Sequence, residues 1–552
     1  MKKRSGFRVM LGLIGMVKPL TGYMLLAILM GLCGHLCAAF ITVLGGYALL
    51  NVMGFETIVS LTCIFVIAVF LAVFRGLLRY AEQSCNHFIA FKLLALIRDK
   101  VFQALRKLCP AKLEGRDKGN LISVITSDIE LLEVFYAHTI SPIVIAVLFC
   151  AVMCLYLGQF HLVLALIGMI AYVVVGVIIP LMISKQSGDT GMKFRQKSGE
   201  LSSFVLDSLR GLSEIQQYGT GENRLNEMNR QTDELSKEEE RMKRVSGRNA
   251  ALTNTAILLF DLLMIFTAVE LCRNGAIDFA GMLLAVLALM SSFGPVVALA
   301  NLGSTLQNTF AAGARVLDIL EETPVVEDVC GFSEVGFEGA QAEHVTFSYQ
   351  DENILSNVSV EIPKHAVIGI SGRSGSGKST LLKLMMRFWK TDEGNIRISG
   401  RNIDEVNTAN LRNLESFVTQ ETYLFHDSIR NNLKIAKQNA TDEELVCACK
   451  KASIHDFIMS LPNGYDTEVG ELGDTLSVGE KQRIGLARAF LHDAPFMLLD
   501  EPTSNLDSLN EAVILKSLYE EREGKTVVLV SHRESTMRIT DRVYSVEHGR
   551  IS

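Results

Sequence analysis

A glycine-rich run at 372–380, Gly-Arg-Ser-Gly-Ser-Gly-Lys-Ser-Thr, has the residue types and spacing of a phosphate-binding loop. It follows the apolar segment 366–370 and opens an apolar-periodic stretch at 381–388, which predicts the order strand, loop, helix. The backbone N–H groups of such a loop face an anion at the positive end of a helix. Lys378 can reach the β- and γ-phosphates of a nucleotide, and the Ser379 hydroxyl can hold Mg²⁺.

The glycines of this run let the backbone wrap a phosphate, because they have no Cβ to clash with it. The pattern therefore predicts nucleotide binding. The candidate nucleotide contacts of the loop are Gly372, Ser374, Gly375, Gly377, Lys378, Ser379 and Thr380.

The composition indicates a chain of two different parts. Of its 552 residues 49% are hydrophobic and only 20% are charged, and the mean hydropathy is +0.28. Long uncharged apolar runs fill the part before residue 310, whereas 341–552 reads like a soluble α/β protein. The net charge of −7 and the pI near 6.0 give no sign of nucleic-acid binding.

Six apolar stretches are long enough to cross a lipid bilayer as helices, which takes about 20 residues each. They lie at 20–50, 55–80, 132–160, 161–184, 250–272 and 277–300. Lysine and arginine are concentrated before the first stretch, between the second and third, and between the fourth and fifth. Since basic residues mark the cytoplasmic side of a membrane, both termini and the phosphate-binding loop are predicted to be cytoplasmic.

The two long basic connections, 84–130 and 185–249, exceed what a structureless loop in a compact protein usually has. Both have helical apolar periodicity, which predicts that the membrane helices continue into the cytosol. Glycine-containing breaks at 115–119 and 219–221 would turn the chain back at the points farthest from the membrane.

The region after the last span reads as a junction followed by an α/β domain. Strands are predicted at 342–349 and 354–362, and apolar strands return at 496–499 and 526–530. This order predicts a mostly parallel sheet with helices on both faces. The predicted domains are a transmembrane domain at 1–320, a linker at 321–340 and a nucleotide-binding domain at 341–552.

Six motifs around these strands occur in the order typical of the ATP-binding-cassette (ABC) transporter superfamily, which the chain resembles over essentially its whole length. They are the Walker A loop, the Q-loop with Gln420, the stretch 467–471 similar to a coupling motif of exporter-type cassettes, the signature 476–483, Walker B with the D-loop at 496–507, and the switch histidine His532. The resemblance implies an exporter-type (type IV) half-transporter. Its fold is then an all-α domain of six transmembrane helices followed by an α/β P-loop ATPase domain, in a cytoplasmic membrane of bacterial type.

The resemblance also implies how these residues hydrolyse ATP with Mg²⁺. Glu501 would orient or deprotonate the attacking water, with His532 and Gln420 as the other catalytic residues. Tyr349 would stack on adenine, a contact worth about 1–3 kcal/mol, and ordinary strand packing is the alternative for this ring. The implied metal contacts are Ser379, Gln420 and Asp500.

The signature implies a second chain. Ser477 and Gly479 precede a predicted helix, 480–491, whose N-terminus can bind an anion. In the family this anion is the γ-phosphate held by a second cassette, and Asp507 would lie at the seam between the cassettes. Because this chain has one cassette, its partner would be a second half-transporter. A heterodimer is favoured by the resemblance to paired systems, and a homodimer is the alternative.

Two positions of the signature depart from the usual pattern. Val478 stands in place of the first of two glycines, and Glu480 stands in place of a glutamine. Both departures leave the Ser477 hydroxyl and the Gly479 backbone in place.

The segment 128–136, followed by Pro142, resembles the branch that contains the bacterial heterodimeric exporters of cysteine and glutathione. This implies export of a small amphipathic or thiol-type substrate. Import of a siderophore or a similar chelate through the same fold is the alternative. A regulatory membrane subunit that binds ATP without pumping is a third reading, disfavoured because the hydrolytic set is complete.

Ionisable residues inside the spans are the candidates for contact with the substrate, because a charge in a membrane is costly unless it faces a cavity or a partner. Asp261 lies in the fifth span and has two possible roles. It contacts the substrate or a transported proton, or it makes a structural hydrogen bond. His35 lies in the first span. Arg75 and Arg79 lie toward the cytosolic end of the second span, where extension of the side chains toward water is the alternative explanation.

Overall fold

The computed structural model describes residues 6–16, 18–57, 59–113, 118–187, 190–349, 352–470, 473, 475–521, 524–547 and 549–551. Gly115 of the first predicted break and Glu471 of the coupling-type motif lie outside the described residues. The chain divides into two compact units. One comprises Met1–Leu105 with Asp117–Glu322, and the other comprises Arg106–Arg116 with Thr323–Ser552.

The first unit is helical throughout its described secondary structure. Its helices are α1 (Gly6–Gly15), α2 (Thr21–Val52), α3 (Leu61–Leu108), α4 (Lys118–Ser123), α5 (Ile129–Phe135), α6 (Ser141–Gly158), α7 (Leu162–Val173), α8 (Ile179–Ser187), α9 (Thr190–Arg210), α10 (Leu212–Gln217), α11 (Gly221–Arg273), α12 (Phe279–Met290) and α13 (Gly294–Leu320). Turns of π-helix at Val124–Asp128, Tyr136–Ile140 and Val174–Ile178 join α4 to α5, α5 to α6 and α7 to α8.

The six predicted spans are confirmed as six long apolar helical runs of the described chain. They are Lys18–Val52, Leu61–Leu108, Leu121–Gly158, Leu162–Ile183, Gly221–Arg273 and Phe279–Ala300. At 1.5 Å per residue, α3 with 48 residues is about 72 Å long and α11 with 53 residues is about 80 Å long. Both are more than twice as long as a hydrocarbon core of about 30 Å is thick, so each is long enough to extend beyond the membrane, and the cytosolic position of the extensions stays a prediction.

The predicted start of the second span was wrong. It was set at residue 55, whereas α3 begins at Leu61. Gly54 has a φ of 88°, which suits the end of a helix. The Phe55 ring then stacks on Phe279 with 5.5 Å between the ring centroids. Hydropathy did not reveal this boundary, because an apolar ring in a turn and one in a helix contribute equally to it.

The second unit contains strands and shorter helices. In chain order they are β1 (Gly339–Tyr349), β2 (Glu352–Pro363), β3 (Val367–Ser371), α14 (Lys378–Met385), β4 (Glu393–Ile398), β5 (Arg401–Asn402), α15 (Thr408–Leu414), β6 (Glu415–Val418), α16 (Ile429–Lys434), α17 (Asp442–Lys451), α18 (His455–Ser460), α19 (Val478–His492), β7 (Phe496–Asp500), α20 (Ser508–Glu521), β8 (Thr526–Val530), α21 (Glu534–Met537), β9 (Arg542–Glu547) and β10 (Arg550–Ile551).

The strands form two sheets, of which one has the order β10-β9-β3-β8-β7-β6 and the other the order β2-β1-β4-β5. In the first, β9, β3, β8, β7 and β6 are parallel and β10 is antiparallel. The expectation that 342–349 and 354–362 join the mostly parallel sheet was wrong, because β1 and β2 pair antiparallel in the second sheet. Two residues separate β1 from β2, and a parallel pairing needs a crossover of about a dozen or more.

Alternate residues of the parallel strands face two separate hydrophobic cores. Phe496 and Leu498 of β7 lie in the core that includes the antiparallel sheet and α14. Met497 and Leu499 lie in the core formed with the helices from α16 to α20. The central strands are therefore buried on both faces, which holds their carboxyl ends in fixed positions.

Candidate functional site

Four predicted motifs meet at one edge of the parallel sheet. The Walker A loop follows β3, Gln420 follows β6, Glu501 follows β7 and His532 follows β8. The carboxyl ends of β3, β7 and β8 are level, since Ile370 and Asp500 both lie opposite Val530. Parallel strands place their carboxyl ends at the same edge, where ligands bind in sheets of this kind.

The phosphate-binding loop has the conformation that its glycines were predicted to allow. Gly372, Gly375 and Gly377 have φ values of 146°, 79° and 98°. A Cβ on Gly377 would lie 2.7 Å from Cδ2 of Leu355 and 3.1 Å from the carbonyl oxygen of Ile354. Only glycine therefore fits the residue that opens α14.

Lys378 lies across this loop. Its Nζ donates hydrogen bonds to the carbonyl oxygens of Gly372, at 2.9 Å, and of Arg373, at 2.7 Å. Burial lowers the pKa of Lys378, and the nearby carboxylates of Glu501 and Asp500 oppose that shift. The ammonium group is thus held inside the loop, where a phosphate would interact with it.

Asp500 and Ser379 fit the predicted Mg²⁺ site. Asp500 is buried at the end of β7, and its Oδ1 has no hydrogen-bond partner among the described residues. Burial raises the pKa of Asp500, whereas a hydrogen bond from Ser379 lowers it. A buried carboxylate oxygen without a donor is costly, and a hard divalent cation would relieve that cost. Gln420, the third predicted metal contact, is directed to Glu501 instead of to this pair.

Glu501 lies between the other two predicted catalytic residues. Its Oε2 accepts a hydrogen bond of 3.2 Å from Nε2 of Gln420, and its Oε1 lies 3.4 Å from Nδ1 of His532. Its φ is 50°, a conformation that non-glycine residues rarely adopt. The main-chain N–H of Glu501 donates to the carbonyl oxygen of Val530 at 2.9 Å, which ties this conformation to β8. Strained residues of this kind concentrate at active sites.

The signature serine begins the helix that the sequence predicted. Ser477 caps α19: its Oγ accepts from the Glu480 N–H at 3.4 Å, and its own N–H donates to Oε2 of Glu480 at 2.7 Å. Glu480, one of the two departures from the usual signature, therefore completes a capping box. The Ser-x-x-Glu pattern was visible in the sequence. A Cβ on Gly479 would lie 2.9 Å from the carbonyl oxygen of Asn505, so this glycine is required for the close contact with the D-loop.

Sequence reasoning missed Gln482. Its side chain is 1% exposed, and Nε2 donates to the carbonyl oxygen of Glu501 at 2.6 Å. Its Oε1 accepts from the N–H of Asn505 at 3.4 Å. The residue lies inside the signature motif, but nothing in the local pattern indicates contacts with residues 19 and 23 positions away along the chain.

Comparison with known proteins supplies the family. A family model described as ABC transporter matches residues 355–504, and a model described as ABC transporter transmembrane region matches residues 24–296. A probable ABC transporter ATP-binding/permease protein of Haemophilus influenzae is 48% identical over 551 residues and covers 100% of both chains. The chain belongs to the ABC transporter family. It is an ATP-binding, exporter-type half-transporter with a fused permease and ATPase.

Two further similar proteins support this family and its fold. An ATP-dependent lipid A-core flippase of Desulfotalea psychrophila is 30% identical over 507 residues and covers 88% of this chain and 85% of its own. The structure of a bacterial Atm1-family ABC exporter with ATP bound matches with a TM-score of 0.84 at 25% identity, over 97% of this chain and 94% of that one. The predicted fold class, six transmembrane helices followed by an α/β ATPase domain, is thereby confirmed.

Asp507 of the transporter lies immediately before α20. Its Oδ1 accepts from the N–H groups of Leu509, at 3.0 Å, and Asn510, at 2.9 Å, and its Oδ2 accepts from Nδ2 of Asn510 at 2.6 Å. These hydrogen bonds hold the pKa of Asp507 below its usual range. The residue is exposed, so a contact at a cassette seam remains open to it and stays a prediction.

The Tyr349 ring lies in an aromatic group of the ATPase unit. Its centroid is 4.8 Å from that of Phe347 and 5.1 Å from that of Trp389, and both contacts are edge to face. Trp389, the single tryptophan of the chain, was not singled out from the sequence. Adenine stacking by Tyr349 stays a prediction, and the packing alternative has these two partners in its favour.

Among the candidate ionisable residues of the membrane spans, Asp261 lies apart from the other three. Asp261 is 8% exposed, and its Oδ1 has no hydrogen-bond partner among the described residues. His35, Arg75 and Arg79 line one cavity, which is not lined by Asp261. The structure thus groups three of the four predicted candidates.

Proposed function

We propose that this chain hydrolyses ATP in a pair of half-transporters and uses the energy to export a small amphipathic or thiol-type substrate across the bacterial cytoplasmic membrane, with both termini in the cytoplasm. The observation that carries the proposal is the position of Glu501, between Gln420 and His532 and directly after Asp500. A subunit that only binds ATP has no need of a carboxylate held in this way.

The residues divide the hydrolysis among them. Lys378 and the N–H groups of the Walker A loop hold the β- and γ-phosphates. Ser379 and Asp500 would hold Mg²⁺, which when bound neutralises charge on the phosphates. The Glu501 carboxylate accepts a proton from the water that attacks the γ-phosphorus, and the bond from that phosphorus to the ADP oxygen breaks. His532 and Gln420 keep the Glu501 carboxylate in place.

The proposal requires a second cassette. The N-terminus of α19 presents Ser477 and Gly479 at a helix of 15 residues, and such a terminus favours an anion. In a head-to-tail pair this anion is the γ-phosphate on the partner's Walker A loop. We predict a heterodimer, and co-purification of two differently tagged copies of this chain checks it. Recovery of both tags in one complex would establish a homodimer instead.

Relatives support an amphipathic substrate. The similar protein named ATP-dependent lipid A-core flippase carries a name that points to a lipid, and lipids of membranes are amphipathic. The thiol-type alternative rests on the resemblance of the segment 128–136. Transport into inside-out vesicles, with thiols and amphipathic dyes offered in parallel, separates the two.

The decisive test is Glu501→Gln in the purified transporter reconstituted in lipid. We expect ATP turnover to fall about 10²- to 10⁴-fold, the usual contribution of a general base. Binding of a fluorescent ATP analogue should persist. Glu520→Gln, an exposed change on α20 where Glu520 lies 3.7 Å from Lys516, is the matched control and should keep full turnover. Equal turnover in Glu501→Gln and the control would refute the proposal.

A further inference from the structure

The first unit contains a cavity of about 510 Å³ between α2, α3, α6 and α13. One part of its wall is polar and carries His35, Arg75, Arg79, Glu82, Asn86 and His138. Three apolar residues, Pro142, Ile145 and Phe149, line the same cavity. The cavity therefore offers charged and hydrogen-bonding groups together with apolar surface.

Glu82 is a buried carboxylate in the polar part of the cavity wall. Its side chain is 5% exposed, and its Oε2 lies 2.7 Å from Nη1 of Arg79. Glu82 can be buried there because α2 has a glycine opposite it: a Cβ on Gly31 would lie 3.0 Å from Cδ of Glu82 and 2.4 Å from Cδ1 of Ile145. The charge of Arg79 is thus neutralised within the protein, and its guanidinium is held at the cavity wall.

Arg75 has no such counterion. No carboxylate of the described residues forms an ion pair with it, although it lies one helical turn from Arg79 on α3. The described wall therefore has one net positive charge from its guanidinium and carboxylate groups. A charge in a membrane-spanning helix is costly, and such residues usually face a cavity and interact with what enters it.

The hydrogen-bonding groups beside Arg75 also suit an anion. Oδ1 of Asn86 accepts a hydrogen bond of 2.8 Å from Oγ of Ser141, which orients the amide, and its Nδ2 can donate to an anion. A guanidinium matches a carboxylate or a phosphate with two parallel hydrogen bonds. The Phe149 ring, with its centroid 6.1 Å from that of His35, brings apolar surface next to the polar wall.

We propose that this cavity binds the anionic group, a carboxylate or a phosphate, of an amphipathic substrate through Arg75, with the apolar part of that substrate against Ile145 and Phe149. The inference deepens the proposed function, on which it rests, by naming the charge class of the exported molecule. The anion can belong to a soluble molecule or to a lipid headgroup, and the guanidinium of Arg75 would bind either one.

The test measures binding without nucleotide, in nanodiscs of zwitterionic phosphatidylcholine. The probes are dansylglycine, an amphipathic carboxylate, and dansylglycinamide, its neutral counterpart with the same fluorophore. We expect dansylglycine to bind at least about tenfold more tightly, the effect of one hydrogen-bonded charge pair. Nanodiscs containing phosphatidylglycerol distinguish the sources: competition with dansylglycine indicates a lipid headgroup, and its absence indicates a soluble anion.

Three variants locate the effect. Arg75→Gln should abolish the preference for the carboxylate, whereas Arg273→Gln, an exposed arginine 3.7 Å from Glu270, should retain it. Glu82→Gln keeps the shape of the side chain but releases the charge of Arg79, so it should tighten dansylglycine binding and leave the amide unchanged. These opposite directions cannot come from misfolding.

Equal affinities for the two probes, or a preference that survives in Arg75→Gln, would overturn the inference. The readout uses no ATP, so such a result would leave ATP hydrolysis untouched. Conversely, loss of the proposed hydrolytic role of Glu501 would not alter the binding of either probe.

Discussion

The side-chain amide of Gln482, on the signature helix α19, donates a hydrogen bond of 2.6 Å to the main-chain carbonyl of Glu501. Glu501 is the residue that we propose as the general base, and its backbone has a φ of 50°. The signature helix therefore supports the strained residue of its own Walker B motif. In the proposed pair, α19 would also meet the nucleotide bound by the partner. The hydrogen bond from Gln482 therefore connects the helix that would bind the partner's nucleotide to the proposed general base of the same chain.

Replacement of Gln482 by leucine should lower both stability and turnover. The change leaves the Glu501 carbonyl without this donor, and an unsatisfied buried group costs about 1–3 kcal/mol. We expect a lower unfolding temperature and reduced ATP turnover, measured in parallel. Gln438→Leu, at an exposed position of the same unit, is the matched control. Wild-type turnover in Gln482→Leu would show that this contact does not position Glu501.

Replacement of Glu480 tests the capping box. Glu480→Ala removes the acceptor of the Ser477 N–H and should cost about 0.5–2 kcal/mol of stability, the usual range for a lost helix cap. Glu480→Gln keeps the reciprocal hydrogen bonds and should be nearly neutral, because both residues complete this motif. Thermal unfolding of the two variants gives the comparison. A destabilised Gln variant would mean that charge rather than capping matters here.

Gly377→Ala should weaken nucleotide binding. Its Cβ would clash with Leu355 at 2.7 Å, in a residue with a φ of 98°. Strain of about 1–3 kcal/mol corresponds to about a 5- to 150-fold loss of affinity if the loop yields. Gly400→Ala is the control, since Gly400 has a φ of 77° and open space around its Cβ position. Equal losses of affinity for a fluorescent ATP analogue in both variants would assign the effect to general destabilisation.

Arg533→Gln should slow turnover without weakening nucleotide binding. Arg533 follows the switch histidine and donates to the carbonyl oxygen of Ser504 at 2.7 Å and to Oε2 of Glu511 at 2.8 Å. These contacts hold the D-loop, not the phosphate-binding loop. Arg538→Gln, an exposed change nearby, is the control and should match the wild type. A loss of nucleotide affinity in Arg533→Gln would contradict this division of roles.

Sequence reasoning succeeded where the chemistry lies in a contiguous segment. The Walker A loop can be read directly because its glycines, Lys378 and Ser379 act within nine residues. The spans can be read because hydrocarbon demands about 20 consecutive apolar residues in a helix. The start of α3 was misplaced because hydropathy does not register the turn at Gly54.

Other features depend on contacts between distant segments. The capping role of Glu480 was available from a local pattern, but the hydrogen bond from Gln482 to Glu501 was not. β1 and β2 pair antiparallel in a separate sheet because the connection between them is short. The pattern of apolar residues located these strands but did not indicate how they pair. Asp261 and His35 looked equivalent as polar residues in apolar spans, and only His35 lines the cavity.

The sequence by itself determined the family, the six membrane crossings and the order of the nucleotide-binding motifs, because each is written in consecutive residues whose spacing the backbone geometry dictates. Only the tertiary structure decided that Glu82 neutralises Arg79 while Arg75 has no counterion among the described residues, and that Gln482 supports Glu501. Those relationships arise when separate helices and strands pack together, and side-chain charge and hydrogen bonding depend on neighbours in space rather than along the chain.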